Sequence, residues 1–348
     1  MRSVTRKFAM ASAIAAASLG VAIASLGPAA ADPPSGTTPA STDIVSTGSD
    51  TIQAFDNGLS AAYNATSPAS KYYSWDATPA GSIVPKTGAA TIARPNGSGA
   101  GITALNSNTS ATVDIARSSR GPNTGSTDWF IPFATDAVGW SAYTGGHAPS
   151  NLTSAELKGI YNCTYTKWNA LPTDPTTSTD TIQVFLPQTS SGTRAFFLAA
   201  LGITATSEPC WQTVTPEENE GTDAAFAGNT DAIYPYSLSH YVGQVYDGKG
   251  SGSDEPGALD ALRSLDSVPQ IDTANKVWNS NLSLTYTRNV YHVVRQADWA
   301  NATEGPRLKA LLNRSAAGGW LCANGSTLIS SYGFHALASG CGTLQPGI

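Results

Sequence analysis

Charge is what this chain has least of. Asp, Glu, Lys and Arg make up 13% of its 348 residues, and the formal net charge is −6, so the charged share is about half the usual one. No run of basic residues offers a field for nucleic acid or an anionic membrane, and no nucleic-acid partner is expected. Histidine is equally sparse: His147, His240, His292 and His335 stand far apart in the sequence. They leave little from which to assemble a nucleophilic triad, and no Asp/His cluster for metal-assisted phosphate-ester hydrolysis. A Gly-x-Ser-x-Gly elbow is missing too, as are heptads and internal repeats. Together these absences argue against an enzyme, and neither cofactor nor metal is expected.

Four cysteines remain, Cys163, Cys210, Cys322 and Cys341, with no Cys-x-x-Cys among them. In an exported chain they read as two disulfides, most simply Cys163–Cys210 and Cys322–Cys341 out of three possible pairings. Export is expected from the N-terminus. Arg2, Arg6 and Lys7 precede an apolar run from Phe8 to Leu26, and Ala29-Ala30-Ala31 offers a small-residue cleavage site before Asp32. This predicts a signal peptide over 1–31. With no cysteine there to take a lipid, a secreted product is expected, not a tethered one. Residues 32–42, rich in Pro, Ser and Thr, read as a flexible leader.

What fills the gap left by charge is Ser, Thr, Asn and Gly, concentrated in turns. The run Leu186-Pro187-Gln188-Thr189-Ser190-Ser191-Gly192-Thr193-Arg194-Ala195-Phe196-Phe197 sits between a β-rich segment (181–185) and an apolar helical pattern. A strand-to-helix turn of this kind can hold an oxyanion. The hydroxyls donate, Gly192 lets the backbone approach, the first helical amides are unpaired, and Arg194 offers a charged fork. The plainer reading is a helix cap, with Ser190 or Ser191 satisfying the chain's own amides. The same chemistry recurs earlier in the chain. Asp43-Ile44-Val45 runs into Ser46-Thr47-Gly48-Ser49-Asp50-Thr51-Ile52 and a helix; Thr91-Ile92-Ala93-Arg94 runs into Pro95-Asn96-Gly97-Ser98-Gly99-Ala100-Gly101 and a helix. Val113-Asp114-Ile115-Ala116 ends in Arg117-Ser118-Ser119-Arg120-Gly121-Pro122. We expect all four turns to lie at strand ends before helices. Alternating strands and helices place the chain in the α/β class, where such loops gather at the carboxyl ends of the strands.

Taken in order, these turns resemble those of the secreted or periplasmic phosphate-binding proteins that feed phosphate ABC importers. The carrying pieces are Thr47-Gly48-Ser49-Asp50-Thr51-Ile52, Gly97-Ser98-Gly99-Ala100-Gly101-Ile102, Asp114-Ile115-Ala116-Arg117-Ser118-Ser119, Leu152 to Asn169, Ser190-Ser191-Gly192-Thr193-Arg194 and Arg288-Asn289-Val290-Tyr291. The resemblance implies a two-lobed type II periplasmic-binding-protein (Venus flytrap) fold with a ligand cleft between lobes. Lobe 1 would comprise 43–134 plus 288–348, and lobe 2 would comprise 135–287. It implies an extracellular monomer that captures inorganic phosphate for an ABC permease. The implied ligands are the Thr51 hydroxyl, the Ile52 amide, Ser98, Ser119, and the turn of Ser191, Gly192 and Thr193, with Arg194, Arg117 or Arg120 supplying charge. Two positions depart from the family pattern. Ser119 stands where an Asp commonly takes the proton of hydrogen phosphate, and Pro187 stands where an Arg is frequent. A site of donors alone would suit sulfate as well. The alternative expectation is a secreted cell-wall or adhesion protein of related fold that binds sulfate or carbohydrate, the latter by stacking on some of its tryptophans and tyrosines.

Overall fold

The computed structural model describes residues 32–347; the signal segment expected over 1–31 lies outside the described residues. The molecule is organised on one mixed sheet of eight strands, ordered β2-β1-β3-β7-β4-β6-β5, with β8 also pairing with β4. These are β1 (Ile44–Gly48), β2 (Tyr72–Ser74), β3 (Ile115–Ser118), β4 (Asp128–Ala142), β5 (Gln183–Val184), β6 (Ala232–Ser237), β7 (Thr287–Arg295) and β8 (His335–Ala336). β1 pairs in parallel with β2 and β3. β7 runs antiparallel between β3 and β4.

The long strand β4 carries the architecture. Its first part, Asp128 to Ala137, pairs with β7, and its second part, Val138 to Ala142, pairs with β6. Nearly every residue of β4 is buried, as a mostly apolar strand is when both of its faces are covered; the buried Asp136 within it is paired with Arg288. One strand therefore belongs to two packed bodies. In the first, Phe55, Ile115, Phe133, Val290, Leu311 and Phe334 form the core, with Leu105, Val113 and Phe130 packed on the other face of the sheet. In the second, Trp140, Trp168, Phe185, Phe197, Phe226 and Tyr234 do so. The chain crosses from the first body to the second inside β4 and returns at the start of β7, giving a two-lobed α/β molecule.

The helices that matter for the site are α1 (Gln53–Asn64), α2 (Ser98–Asn106), α4 (Gly192–Ala200) and α5 (Leu238–Tyr246); α3 (Ser154–Tyr161) packs in lobe 2. Their starts are legible in local chemistry. Thr153 and Glu156 close a capping box on α3, while the Ser191 and Ser237 hydroxyls cap α4 and α5. Both disulfides form as expected, Cys163–Cys210 and Cys322–Cys341. The leader segment lies against lobe 1: the Arg94 guanidinium meets the Asp32 carboxylate, and the Thr87 amide donates to the Pro39 carbonyl at 2.8 Å. One expectation holds in part and one needs correction. The turn before α2 lies between a strand and a helix as expected, but that two-residue strand (Ile92–Ala93) pairs with Ser82–Ile83, outside the main sheet. And β3 leads through Ser119 and Arg120 into the loop before β4, not into a helix, because Gly121-Pro122 breaks the chain there.

Candidate functional site

The turns after β1 and β3, the turn before α2 and the turn before α4 meet at the lobe interface. In lobe 1, the Ser49 hydroxyl donates to the Ser119 hydroxyl at 3.1 Å; Ser119 and Ser98 hydroxyls lie 3.2 Å apart, and the Ser119 amide donates to Ser98 Oγ at 3.0 Å. Against this serine row sits Gly192 of lobe 2: a Cβ there would strike Ser98 Oγ and Ser119 Oγ. The contact is reinforced where the Gly99 amide donates across the interface to the Ser190 carbonyl at 2.9 Å. Gly97, at φ 91°, has no room for a side chain against Ser190 either.

Beside the serine row lies a second group, tighter and charged. The Thr51 hydroxyl of lobe 1 lies 3.0 Å from that of Thr193 in lobe 2. Both donate to one carboxylate oxygen, Glu218 Oε2, at 2.5 and 3.2 Å. Arg288 Nη2 donates to Thr193 Oγ1 at 3.0 Å and pairs with Asp136 at 2.8 Å. Asp136 in turn accepts from the Ser237 hydroxyl and the Ser239 amide, so it anchors Arg288 to lobe 2. Every member is buried: Thr51 1%, Thr193 0%, Glu218 1%, Arg288 5% and Asp136 0% exposed. Among the described residues Glu218 Oε1 and Arg288 Nη1 have no hydrogen-bond partner, which in so dry a place is costly unless another group meets them.

The structure sorts the candidate residues. Thr51, Ser98, Ser119, Ser191, Gly192 and Thr193 converge at the interface, with Ser191 Oγ committed to the α4 cap through the Arg194 amide at 2.9 Å, while the Ile52 side chain is buried in the lobe 1 core. Of the three candidate arginines only Arg117 lies beneath the turns. Its Nε donates to the Ser49 carbonyl at 3.0 Å and its Nη1 to Ser74 Oγ and the Trp75 carbonyl, fixing the first turn from below. Arg194 turns away, onto the Pro187 carbonyl and the Trp211 ring, and Arg120 onto Gly121 and Asn123. Neither reaches the hydroxyl cluster; the guanidinium that touches it is that of Arg288. Arg288 carried a signal that sequence reading did not use: a cation near the start of a largely buried strand needs a buried partner. Glu218 carried none, sitting in an acidic loop (213–221) that looks solvated.

The interface is rich in carboxyls. Burial, then the Asp254 charge, pushes the Asp50 carboxyl well above its ordinary range, against the pull of His240. Burial raises Glu220 to about 7. Burial alone would lower the His240 imidazole; the Asp254 carboxylate at 2.6 Å, aided by Asp50 and the Thr51 carbonyl at 2.9 Å, outweighs it and lifts His240 to about 10. His240, on α5, thus ties lobe 2 to the first turn of lobe 1 as a cation. Separately, His147, Asp180 and Asp231 bring ligand atoms within 4.8 Å of one another on lobe 2. Asp231 there already accepts from the Trp168 indole and bonds His147.

Solved structures share this arrangement of elements. An ABC-type phosphate transport receptor from Vibrio cholerae aligns over 85% of this chain and 100% of its own, at 19% identity and a TM-score of 0.54. A putative phosphate ABC transporter substrate-binding protein with bound phosphate, from Clostridium perfringens, aligns over 85% and 99% at 15% identity and 0.55. A phosphate-binding protein from Stenotrophomonas maltophilia aligns over 86% and 91% at 15% identity and 0.52. At these identities the likeness is one of fold. No curated protein matches the chain. The family model of the PBP superfamily domain matches residues 33–264, two lobes joined through β4 and β7 are what the structure shows, and the chain belongs to that superfamily.

Proposed function

We propose that this protein is an extracellular solute-binding protein that captures inorganic phosphate between its lobes and delivers it to an ABC permease. The observation that carries the reading is the meeting, across the lobe interface, of Thr51, Ser98 and Ser119 with Gly192, Thr193 and Arg288. Hydroxyl donors, the unpaired first amides of α4 and one buried guanidinium suit a small tetrahedral oxyanion. Each charge-assisted hydrogen bond contributes roughly 1.5–3 kcal/mol net, so a few suffice for micromolar capture. The fold neighbours whose names specify phosphate support this choice over sulfate or carbohydrate. In this reading the lobes divide at 134/135 and 287/288, the signal peptide is removed and the protein works as a monomer.

Calorimetric titration of the mature protein with phosphate, then sulfate, tests it. One saturable phosphate site is expected, with a rise in melting temperature that follows RT ln(1 + [L]/Kd). Heat and melting that ignore both anions would overturn the reading; preference for sulfate would replace its ligand.

A further inference from the structure

The donors at the centre of the interface are already engaged, and by the protein's own carboxylate. Thr51 and Thr193 belong to different lobes, yet both donate to Glu218 Oε2. The loop that presents Glu218 is firmly set. Asn219, held at φ 60°, accepts the Ser237 amide at 3.1 Å on its side chain and the Gln244 amide group and Tyr236 hydroxyl on its carbonyl. The residue before Glu218 also crosses the interface, since Asn96 Nδ2 donates to the Glu217 carboxylate at 2.9 Å. Two successive glutamates of lobe 2 therefore take donors from two turns of lobe 1. A carboxylate is a planar, singly charged oxyanion, and it meets the same hydroxyl donors that a free oxyanion would need.

We infer that Glu218 is a tethered counter-anion: it latches the two lobes together in the absence of ligand, and a free oxyanion must displace it from Thr51 and Thr193. Resting on the phosphate reading for the identity of the displacing anion, this makes Glu218 a determinant of affinity. A ligand that competes with a group held at high effective concentration binds with an apparent affinity reduced by the fraction of protein in which that group has let go. It also sets selectivity by charge. An anion able to shed the Glu218 carboxylate from both hydroxyls must offer them at least as good an acceptor, which favours compact, highly charged oxyanions over weakly basic monoanions.

Glu218→Ala and Glu218→Gln test the inference, the second keeping the volume of the side chain should the first fail to fold. Small-angle scattering on ligand-free protein should show the alanine variant more extended than the parent, and titration should show it binding phosphate about ten-fold tighter; the glutamine variant should move the same way by less. Scattering profiles that superimpose, or, where the parent binds phosphate, a variant affinity that stays level or falls, would overturn the latch and make Glu218 a bystander or a ligand. The two readings fail separately: an expanded Glu218→Ala protein that ignores phosphate and sulfate upholds the latch while removing phosphate as the ligand.

Discussion

Thr193 is the residue on which most of the interface chemistry meets. Its hydroxyl lies between Thr51, Glu218 and Arg288. Thr193→Ala should weaken phosphate binding about ten-fold, the cost of one hydrogen bond to a charged group, with the fold intact by circular dichroism. Ser191→Ala differs in kind: it removes the cap on α4 and should cost about 1 kcal/mol of stability, visible in denaturant unfolding. Arg288→Lys keeps a cation beside Asp136 but cannot hold Asp136 and Thr193 with one rigid fork; calorimetry should show phosphate binding reduced at least ten-fold. His240 yields a pH prediction with a definite sign. Its folded value, about 10, lies above the ordinary 6.5, so its contribution to stability is complete below pH 6.5 and is lost as pH rises through 10. Denaturant midpoints should therefore fall between pH 7 and 10, and His240→Gln should flatten that slope.

At the scale of elements, the lobes approach so closely because two turns end in glycine where side chains would collide. Gly192 opens α4 directly against Ser98 and Ser119. Gly192→Ala places a methyl group between the lobes without disturbing either core. Its melting temperature should stay within a few degrees of the parent, while phosphate affinity falls at least ten-fold because the turns can no longer meet. Retained affinity, measured by the same titration, would mean that the anion does not need this closure. The strand β4 has the complementary role. Because one unbroken strand serves both lobes, with its partner changing from β7 to β6 near Ala137, any opening of the lobes has to bend β4 and β7 near that point.

For the whole molecule, the disulfides divide between the two bodies: Cys163–Cys210 staples lobe 2 and Cys322–Cys341 the C-terminal part of lobe 1. They close loops of sequence separation 47 and 19, for which chain entropy gives about 4 and 3 kcal/mol respectively. Replacing Cys163 and Cys210 together by Ala should lower unfolding stability by roughly that larger amount and leave the C-terminal part of lobe 1 the more resistant to proteolysis. The low overall charge also has a consequence here. Without a broad positive field, attraction of an anion depends on short-range groups, so phosphate association should be slow compared with steered encounters and weakly dependent on salt.

The α/β class, the starts of α3 and α4 and most of the hydroxyl turns could be read in the amino-acid order, because caps, turns and periodic burial are decided within a few residues. Ser98, Ser119, Gly192 and Thr193 stood out for that reason. The disulfide pairs were the simplest of three possibilities, and α5 was not read at all. What the order of residues could not decide was which distant groups share a dry interface. Arg288 reaches Thr193 across 95 positions and Glu218 reaches Thr51 across 167, and no local pattern encodes either meeting. Arg194 and Arg120 looked better placed, yet each found nearer carbonyls to satisfy it. Local chemistry thus determined which turns could hold an anion, whereas only the packing of one lobe on the other chose the cation that faces them and the carboxylate that holds their donors.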